Sequence, residues 1–375
     1  MKTTVLQENL QKAVALSSHF VSSKAQLPIL SNILLQAKKT KLIISSTNLE
    51  TSVSTSIGSK TEEEGDIAVN GKTINDIVTN LTNDSIEIES MHEHLKLSSG
   101  SFKSKILGTN SSDFPKLPSI VDKKTFTLKT NEFIKSLSKV LFSVSTDETR
   151  PILTGVLFVS RDLKLSLVAT DGFRLSEIKI KNEAKLPDLR IIIPRAVLNE
   201  LSKVDEEENI EVYFDKENNQ IVFGIGDTVF SSRIIEGEFP DYEKIIPTSS
   251  ICTVNIDKNE LEKALKLSSV FARDSGNIIK LRIMPTLRDK NQELIINAES
   301  SNSGNQEMGL EIRTEQEIKT EINIMFNYRF IEEFLKTVED DEIQIQISDN
   351  NKASKFLDPK NPNFLHIIMP IKTQN

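Results

Sequence analysis

Apolar positions recur in one arrangement along the chain. Near the N-terminus Leu10, Ala13, Val14 and Ser17 stand at i, i+3, i+4 and i+7, the spacing that lines up side chains on one face of a helix. The same spacing returns at Phe133, Ser136, Leu137 and Val140, and again at Leu261, Ala264, Leu265 and Ser268. The interval is roughly 125 residues each time, the mark of a chain built from repeats. Asp257 followed by Glu260 offers a capping box for the third of these helices. A second amphipathic segment follows in every copy, over residues 71–81, 194–204 and 327–338. Its inward positions align as Ile74, Leu198 and Ile331, then Ile77, Leu201 and Phe334. Pro194 suits a first helical position, where its missing N–H removes no bond. Behind each second helix the period changes to two, at Ile86/Ile88, Ile210/Val212/Phe214 and Ile343/Ile345/Ile347. That alternation predicts a strand with one buried face.

Other landmarks keep the same order. Pro28 answers Pro151, and Thr47-Asn48-Leu49-Glu50 answers Thr170-Asp171-Gly172-Phe173. Phe114-Pro115, Phe239-Pro240 and Met369-Pro370 close the three copies. The repeat divides the chain into domains 1–122, 123–248 and 249–375. Each holds two helices among short strands, which predicts an α+β fold with helices packed on antiparallel sheets. The acidic runs at 205–208 and 339–342 read as solvated turns.

Charge and composition narrow the function classes. With 46 Lys and Arg against 54 Asp and Glu, the net charge is −8. That disfavours broad adventitious binding to nucleic acid but allows a local basic stripe. A single cysteine, Cys252, excludes an internal disulfide framework and reads as a small buried or half-buried residue. The first residues form no apolar signal core, and no run of about 18 apolar residues spans a membrane. A cytoplasmic protein without a membrane partner is expected.

Catalytic motifs do not emerge. Gly65-Asp66-Ile67-Ala68-Val69-Asn70-Gly71-Lys72-Thr73 has five residues between its glycines where a phosphate-binding loop needs four, and the other copies lack the glycines. Gly224-Ile225-Gly226 reads as a turn or bulge between strands. His92 and His94, two apart, are expected on one face of an exposed strand end, without a third metal ligand. No enzyme activity, cofactor or metal is expected.

One polar column stands out. The position two after the first anchor is Lys12, Lys135 and Lys263. Lys139 and Lys266 extend that face by a turn, and Lys203 aligns with Lys336 on the second helix. If the modules close into a ring with helices inward, these lysines line the hole and meet polyanionic phosphate. No aromatic residues interleave with them, which argues against stacking on single-stranded bases.

The stretch Ala169-Thr170-Asp171-Gly172-Phe173-Arg174-Leu175-Ser176 closely resembles the Ala-Thr-Asp-Gly-His-Arg-Leu-Ala signature of the bacterial DNA polymerase III beta sliding clamps. The segments from Leu27-Pro28-Ile29-Leu30 and Arg150-Pro151-Ile152-Leu153, Phe239-Pro240-Asp241-Tyr242 and Ile367-Ile368-Met369-Pro370-Ile371 resemble the same family. The likeness is collinear over nearly the whole chain. It implies a DNA-clamp fold and a head-to-tail homodimer, a ring of six similar domains around duplex DNA. Such a ring tethers the replicative polymerase topologically and performs no chemistry. Lys24 and Arg150 join the lysines as expected DNA-facing cations.

The resemblance also implies a pocket for short linear peptides of polymerases, the clamp loader, repair polymerases and mismatch-repair proteins. Carried over to this chain, an apolar floor is expected from Leu153, Leu175, Ile245 and Met369. Thr170, Gly172, Pro240, Asn327, Phe330 and Pro370 are expected to belong to the same pocket, with Phe173 at its edge. Arg174 and Lys244 are expected to meet acidic or carbonyl groups at the rim. Phe173 stands where the family has His, and Lys244 where Arg is common, losing bidentate geometry. The chain also runs on through Lys372-Thr373-Gln374-Asn375, past the usual ending. For the dimer contact the resemblance points to Val270 and Phe271 in the third domain and Ile106 or Leu107 in the first. The competing reading is a repeat-built interaction scaffold that never encircles DNA.

Overall fold

A computed structural model describes residues 1–22, 27–82, 84–118, 124–204, 208–285 and 292–372. Among them are six α-helices: α1 Gln7–Ser18, α2 Gly71–Thr79, α3 Thr130–Leu141, α4 Arg195–Leu201, α5 Lys258–Ala272 and α6 Tyr328–Leu335. The inward faces follow the sequence pattern. Leu10, Ala13, Val14 and Ser17 are buried on α1, and Leu261, Ala264, Leu265 and Ser268 on α5. Phe133, Ser136, Leu137 and Val140 are buried on α3.

The second helices begin one residue later than two of the expected starts and end earlier. Pro194 closes the strand Arg174–Pro194, so it precedes the first helical residue. It shares that place with Asn70 and Asn327, whose side chains accept from the amides of Thr73 and Arg329, both at 3.0 Å. These caps satisfy N–H groups that have no partner within the helix. Past the ends, the amides of Asn80, Lys203 and Thr337 donate to the carbonyls of Ile77, Glu200 and Phe334. Such i→i−3 bonds tighten the last turn and stop the helix. Asp257 accepts from the Glu260 amide at 2.9 Å, one half of the expected capping box.

The chain forms two compact units, residues 1–134 with 196–234, and residues 135–195 with 235–375. Among the described residues each holds one antiparallel sheet, of twelve strands in the first and ten in the second. In the first unit, strand Thr51–Glu63 pairs with Thr228–Arg233, Val53 opposite Phe230. In the second, Arg174–Pro194 pairs with Phe364–Ile368, Leu175 opposite Ile367. Both ladders join segments from different thirds of the repeat. Backbone hydrogen bonds therefore carry each sheet across a repeat boundary, and the middle third contributes strands to both units. Residues 119–123, where the first boundary was expected, lie outside the described residues.

In the first unit Leu10, Val14, Leu35, Ile44, Ile74, Ile88 and Leu97 belong to one buried cluster. Burying each such side chain stabilises by about 1.5–3 kcal/mol relative to exposure. Helix α1 packs on α2 there, and α5 packs on α6 in the second unit.

The decoy motifs resolve structurally. Gly226 (φ 54°) and Asp227 turn the hairpin that pairs Ile225 with Thr228. His92 (φ 51°) sits in the turn between the paired Met91 and His94, so the two histidines do not share a strand face as expected. Cys252 is buried, and burial pushes its thiol up to about 11. The acidic run 339–342 is not simply solvated, because Asp340 pairs with Lys360 at 3.1 Å and Glu342 with Arg313. Residues 205–207 of the other run lie outside the described residues. No described helix is long and apolar enough to cross a membrane.

Candidate functional site

The turn after strand Gly155–Thr170 is built by side chains. Thr170 Oγ1 donates to the Arg174 carbonyl at 2.6 Å and accepts from the Gly172 amide at 3.1 Å. Asp171 Oδ1 accepts from the amides of Phe173 and Arg174 at 2.9 and 3.0 Å. The faint sequence echo at 47–50 folds in the same way. Thr47 Oγ1 donates to the Thr51 carbonyl and accepts from Leu49, while Asn48 Oδ1 accepts from Glu50 and Thr51. Gly172 at φ 94° is matched by Leu49 at φ 76°. The two turns share a backbone and differ in what they present: Phe173 and Arg174 in one, Glu50 and Thr51 in the other.

Around the Thr170 turn the expected pocket residues separate by depth. Leu153 and Leu175 are buried in a cluster with Leu157, Val168, Phe239, Tyr242 and Ile367. Thr170 and Pro370 are buried too, and Pro240 is exposed. Accessible apolar surface comes from Phe173, Ile245 and Met369, which are 62%, 49% and 38% exposed. Ile245 and Met369 line a pocket of about 430 Å³ with Lys244, Pro247 and Ala353. The floor expected from four residues is thus two buried supports beneath two exposed contacts.

Arg174 departs from its expected place at the rim. It is buried, and Nε donates to Asp171 at 3.0 Å. Its other nitrogens donate to Glu333 and to the Phe142 carbonyl. The guanidinium lies 4.5 Å from the Phe330 ring centroid and 5.3 Å from that of Phe142. Cation–π contact and a partner for each nitrogen make it a clamp that holds the turn against α6. Asn327 is likewise engaged as the α6 cap. Lys244 stays at the rim, bonded to Asp241 at 2.7 Å, which raises its pKa.

Beneath the clamp runs a buried polar chain. Ser143 Oγ lies 2.8 Å from Ser176 Oγ, which lies 2.8 Å from His366 Nδ1. The imidazole stacks on Phe334 with centroids 5.4 Å apart. Burial, reinforced by the Arg174 charge, holds its pKa well below the ordinary value, so the ring is neutral.

The lysine column divides. Lys12, Lys135 and Lys263 are all exposed, as are Lys203, Lys266 and Lys336. Lys12 and Lys203 line one groove of about 420 Å³ in the first unit. Lys139 corrects the expectation: it is 4% exposed, donates to the Thr337 carbonyl at 3.2 Å and pairs with Glu339 at 3.0 Å. Buried Asp358 lies 3.9 Å away and the Phe364 ring centroid 5.3 Å. One turn on from Lys135, segments of the third repeat pack over the helix and cover Lys139, and an ion pair makes burial tolerable. Arg150 is placed against the Thr170 turn, bonded to Asp147 at 2.8 Å and to the Asp171 carbonyl. Lys24 lies outside the described residues.

Sequence reading missed an acidic column on the second helices. Glu200 on α4 lies 2.8 Å from His19 Nδ1 and 2.7 Å from Lys203 Nζ, and Glu333 at the equivalent place on α6 holds Arg174. The signal was present, one position before the aligned Leu201 and Phe334.

Of the candidate contact residues, Ile106 belongs to the core of the first unit, while Leu107 is 75% exposed and Val270 57%. Phe271 is half-buried. Leu107 lies on strand Phe102–Thr109, which pairs with His94–Ser99 and, only through Gly108 and Thr109, with Gly65–Asn70. Strand Gly304–Thr314 pairs with Gln292–Ser300 and, only at Arg313 and Thr314, with Cys252–Asp257. Among the described residues, each strand leaves one edge open.

Repeated helix pairs on sheets that run across repeat boundaries define a protein of three DNA-clamp domains. Models of the DNA polymerase III beta subunit match its N-terminal domain at residues 1–118, its central domain at 127–241 and its C-terminal domain at 243–372. The beta sliding clamp of Synechococcus elongatus is 31% identical over 385 residues, with 100% of both chains covered. The DNA polymerase III beta subunit of Thermotoga maritima superposes with a TM-score of 0.90 at 26% identity, covering 99% of each chain. The DNA polymerase sliding clamp of Bacillus subtilis gives 0.90 at 26%, covering 100% of this chain and 99% of that one. The chain belongs to the DNA polymerase III beta subunit family, the beta sliding clamps, and its role is that of a sliding clamp.

Proposed function

We propose that two copies of this chain close head to tail into a ring around duplex DNA and tether the replicative polymerase there, catalysing no reaction and needing no cofactor. The observation that carries this reading is the pair of open strand edges. Within the chain, Thr51–Glu63 takes Thr228–Arg233 as its neighbour, and Arg174–Pro194 takes Phe364–Ile368. Gly304–Thr314 occupies the corresponding place in the third repeat, and Phe102–Thr109 corresponds to the accepting strands. The same pairing between copies joins these two edges, sets Lys103 and Lys105 near Glu307 of a second copy, and covers Leu107 and Val270. Domain limits near 122 and 248 give each copy three such modules.

Exposed lysines in every repeat supply weak contacts to phosphate, and a closed ring needs no strong ones. The pocket around Ile245 and Met369 takes short apolar peptides of the polymerase, the clamp loader, repair polymerases and mismatch-repair proteins. A cytoplasmic location follows from that work. The test is retention after loading onto nicked circular DNA, with release when the circle is cut. Equal retention on linear and circular DNA fits a scaffold that never encircles DNA and overturns the ring.

A further inference from the structure

Beside the pocket lies a second cleft, of about 380 Å³, lined by Arg150, Phe173, Arg174, Arg195 and three carboxylates. The carboxylates are already engaged: Asp147 with Arg150, and Asp171 and Glu333 with Arg174. Arg195 is different. Its side chain is half-buried and makes no hydrogen bond or ion pair with the described residues, and its Nε is enclosed without an acceptor. The side chain as a whole is only half-buried and lines the cleft with its charge unpaired, so a carboxylate bound there forms short, charge-assisted bonds. Phe173, the exposed aromatic, stands in the same cleft.

We propose that Arg195 binds a carboxylate on the partner peptide, so that peptides with an acidic residue flanking their apolar anchors bind more tightly than neutral ones. This rests on the peptide-pocket reading above. A peptide carboxylate suits the cleft better than a DNA phosphate. A phosphodiester backbone brings repeated charges past Asp147, Asp171 and Glu333, whereas an acidic peptide residue brings a single one.

The test uses the full-length protein and labelled synthetic peptides with leucine and phenylalanine anchors, made with glutamate or glutamine at each flanking position. Titration by fluorescence anisotropy is expected to show about a tenfold preference for one glutamate version, shrinking as salt rises. Arg195→Gln removes the preference and leaves the neutral peptide's affinity alone. Arg195→Lys retains part of it, and matching thermal melts show that both variants fold. Equal binding of both peptides by the unaltered protein overturns the proposal but leaves the pocket reading standing. A preference that survives Arg195→Gln also overturns it. Binding of neither peptide removes the pocket reading itself, and the proposal with it. Unchanged peptide binding with weakened retention on circular DNA in Arg195→Gln reassigns the residue to phosphate.

Discussion

His366 shows how one buried side chain ties stability to pH. The folded protein holds its ring neutral between Phe334 and Ser176, whereas the unfolded chain protonates it near 6.5. With the folded pKa depressed, the His366 contribution is intact above 6.5 and is lost as pH falls below it toward the folded value. The loss reaches about 1.4 kcal/mol per pH unit for this one proton. Urea denaturation at pH 7.5 and 5.5 is expected to show a smaller drop in His366→Gln than in the unaltered protein. Lys139 makes a second case. Lys139→Ala leaves buried Asp358 without its cation, held only by the Glu339 and Lys360 amides, and is expected to cost about 3 kcal/mol, against under about 0.5 kcal/mol for Lys135→Ala. Equal costs from urea midpoints would refute the assignment of Lys139 to the interior. Sequence placed both lysines on one polar face, because spacing gives the angle around a helix but not what packs there.

Among the elements, the two matching turns separate backbone from function. Gly172 and Leu49 occupy the same left-handed region, where a Cβ carries a cost. Gly172→Ala is expected to destabilise by about 1 kcal/mol, while Leu49→Gly is neutral to slightly stabilising. Thermal melts of the two variants check that difference in sign. Removing the α6 cap with Asn327→Ala is expected to cost about 1 kcal/mol, seen as a lower urea midpoint. The helices, their inner faces and the strands behind them were legible because helical and strand periods are local properties. Helix ends shifted by up to three residues, since caps and i→i−3 bonds fix them rather than the apolar pattern. The kinship of 47–50 with 170–173 was legible only faintly, because Thr-Asn-Leu and Thr-Asp-Gly build one turn from different letters.

For the whole molecule, the open edges on Phe102–Thr109 and Gly304–Thr314 set the expectation for assembly. Leu107→Asp is expected to leave the chain folded but monomeric by analytical ultracentrifugation, because Leu107 is exposed in the single chain. Ile106→Ala, one residue away, is expected instead to cost about 2–4 kcal/mol of fold stability, since Ile106 fills the core. A Leu107→Asp dimer of unchanged affinity would rule out this edge.

By itself the sequence determined the repeat, the α+β elements of each copy and the family, because these rest on local periodicity and on contiguous motifs. It also marked the Thr170 turn, which local side-chain bonds build. Only the tertiary structure decided which residues of that site are reachable. Arg174 became a clamp, Leu153 and Leu175 became buried supports, Lys139 went inside, and Glu200, Glu333 and Arg195 took places no motif assigned. Those outcomes depend on distant segments meeting, Arg174 with Glu333 and Lys139 with Asp358. Burial and charge pairing arise between such segments, and no spacing along the chain encodes them.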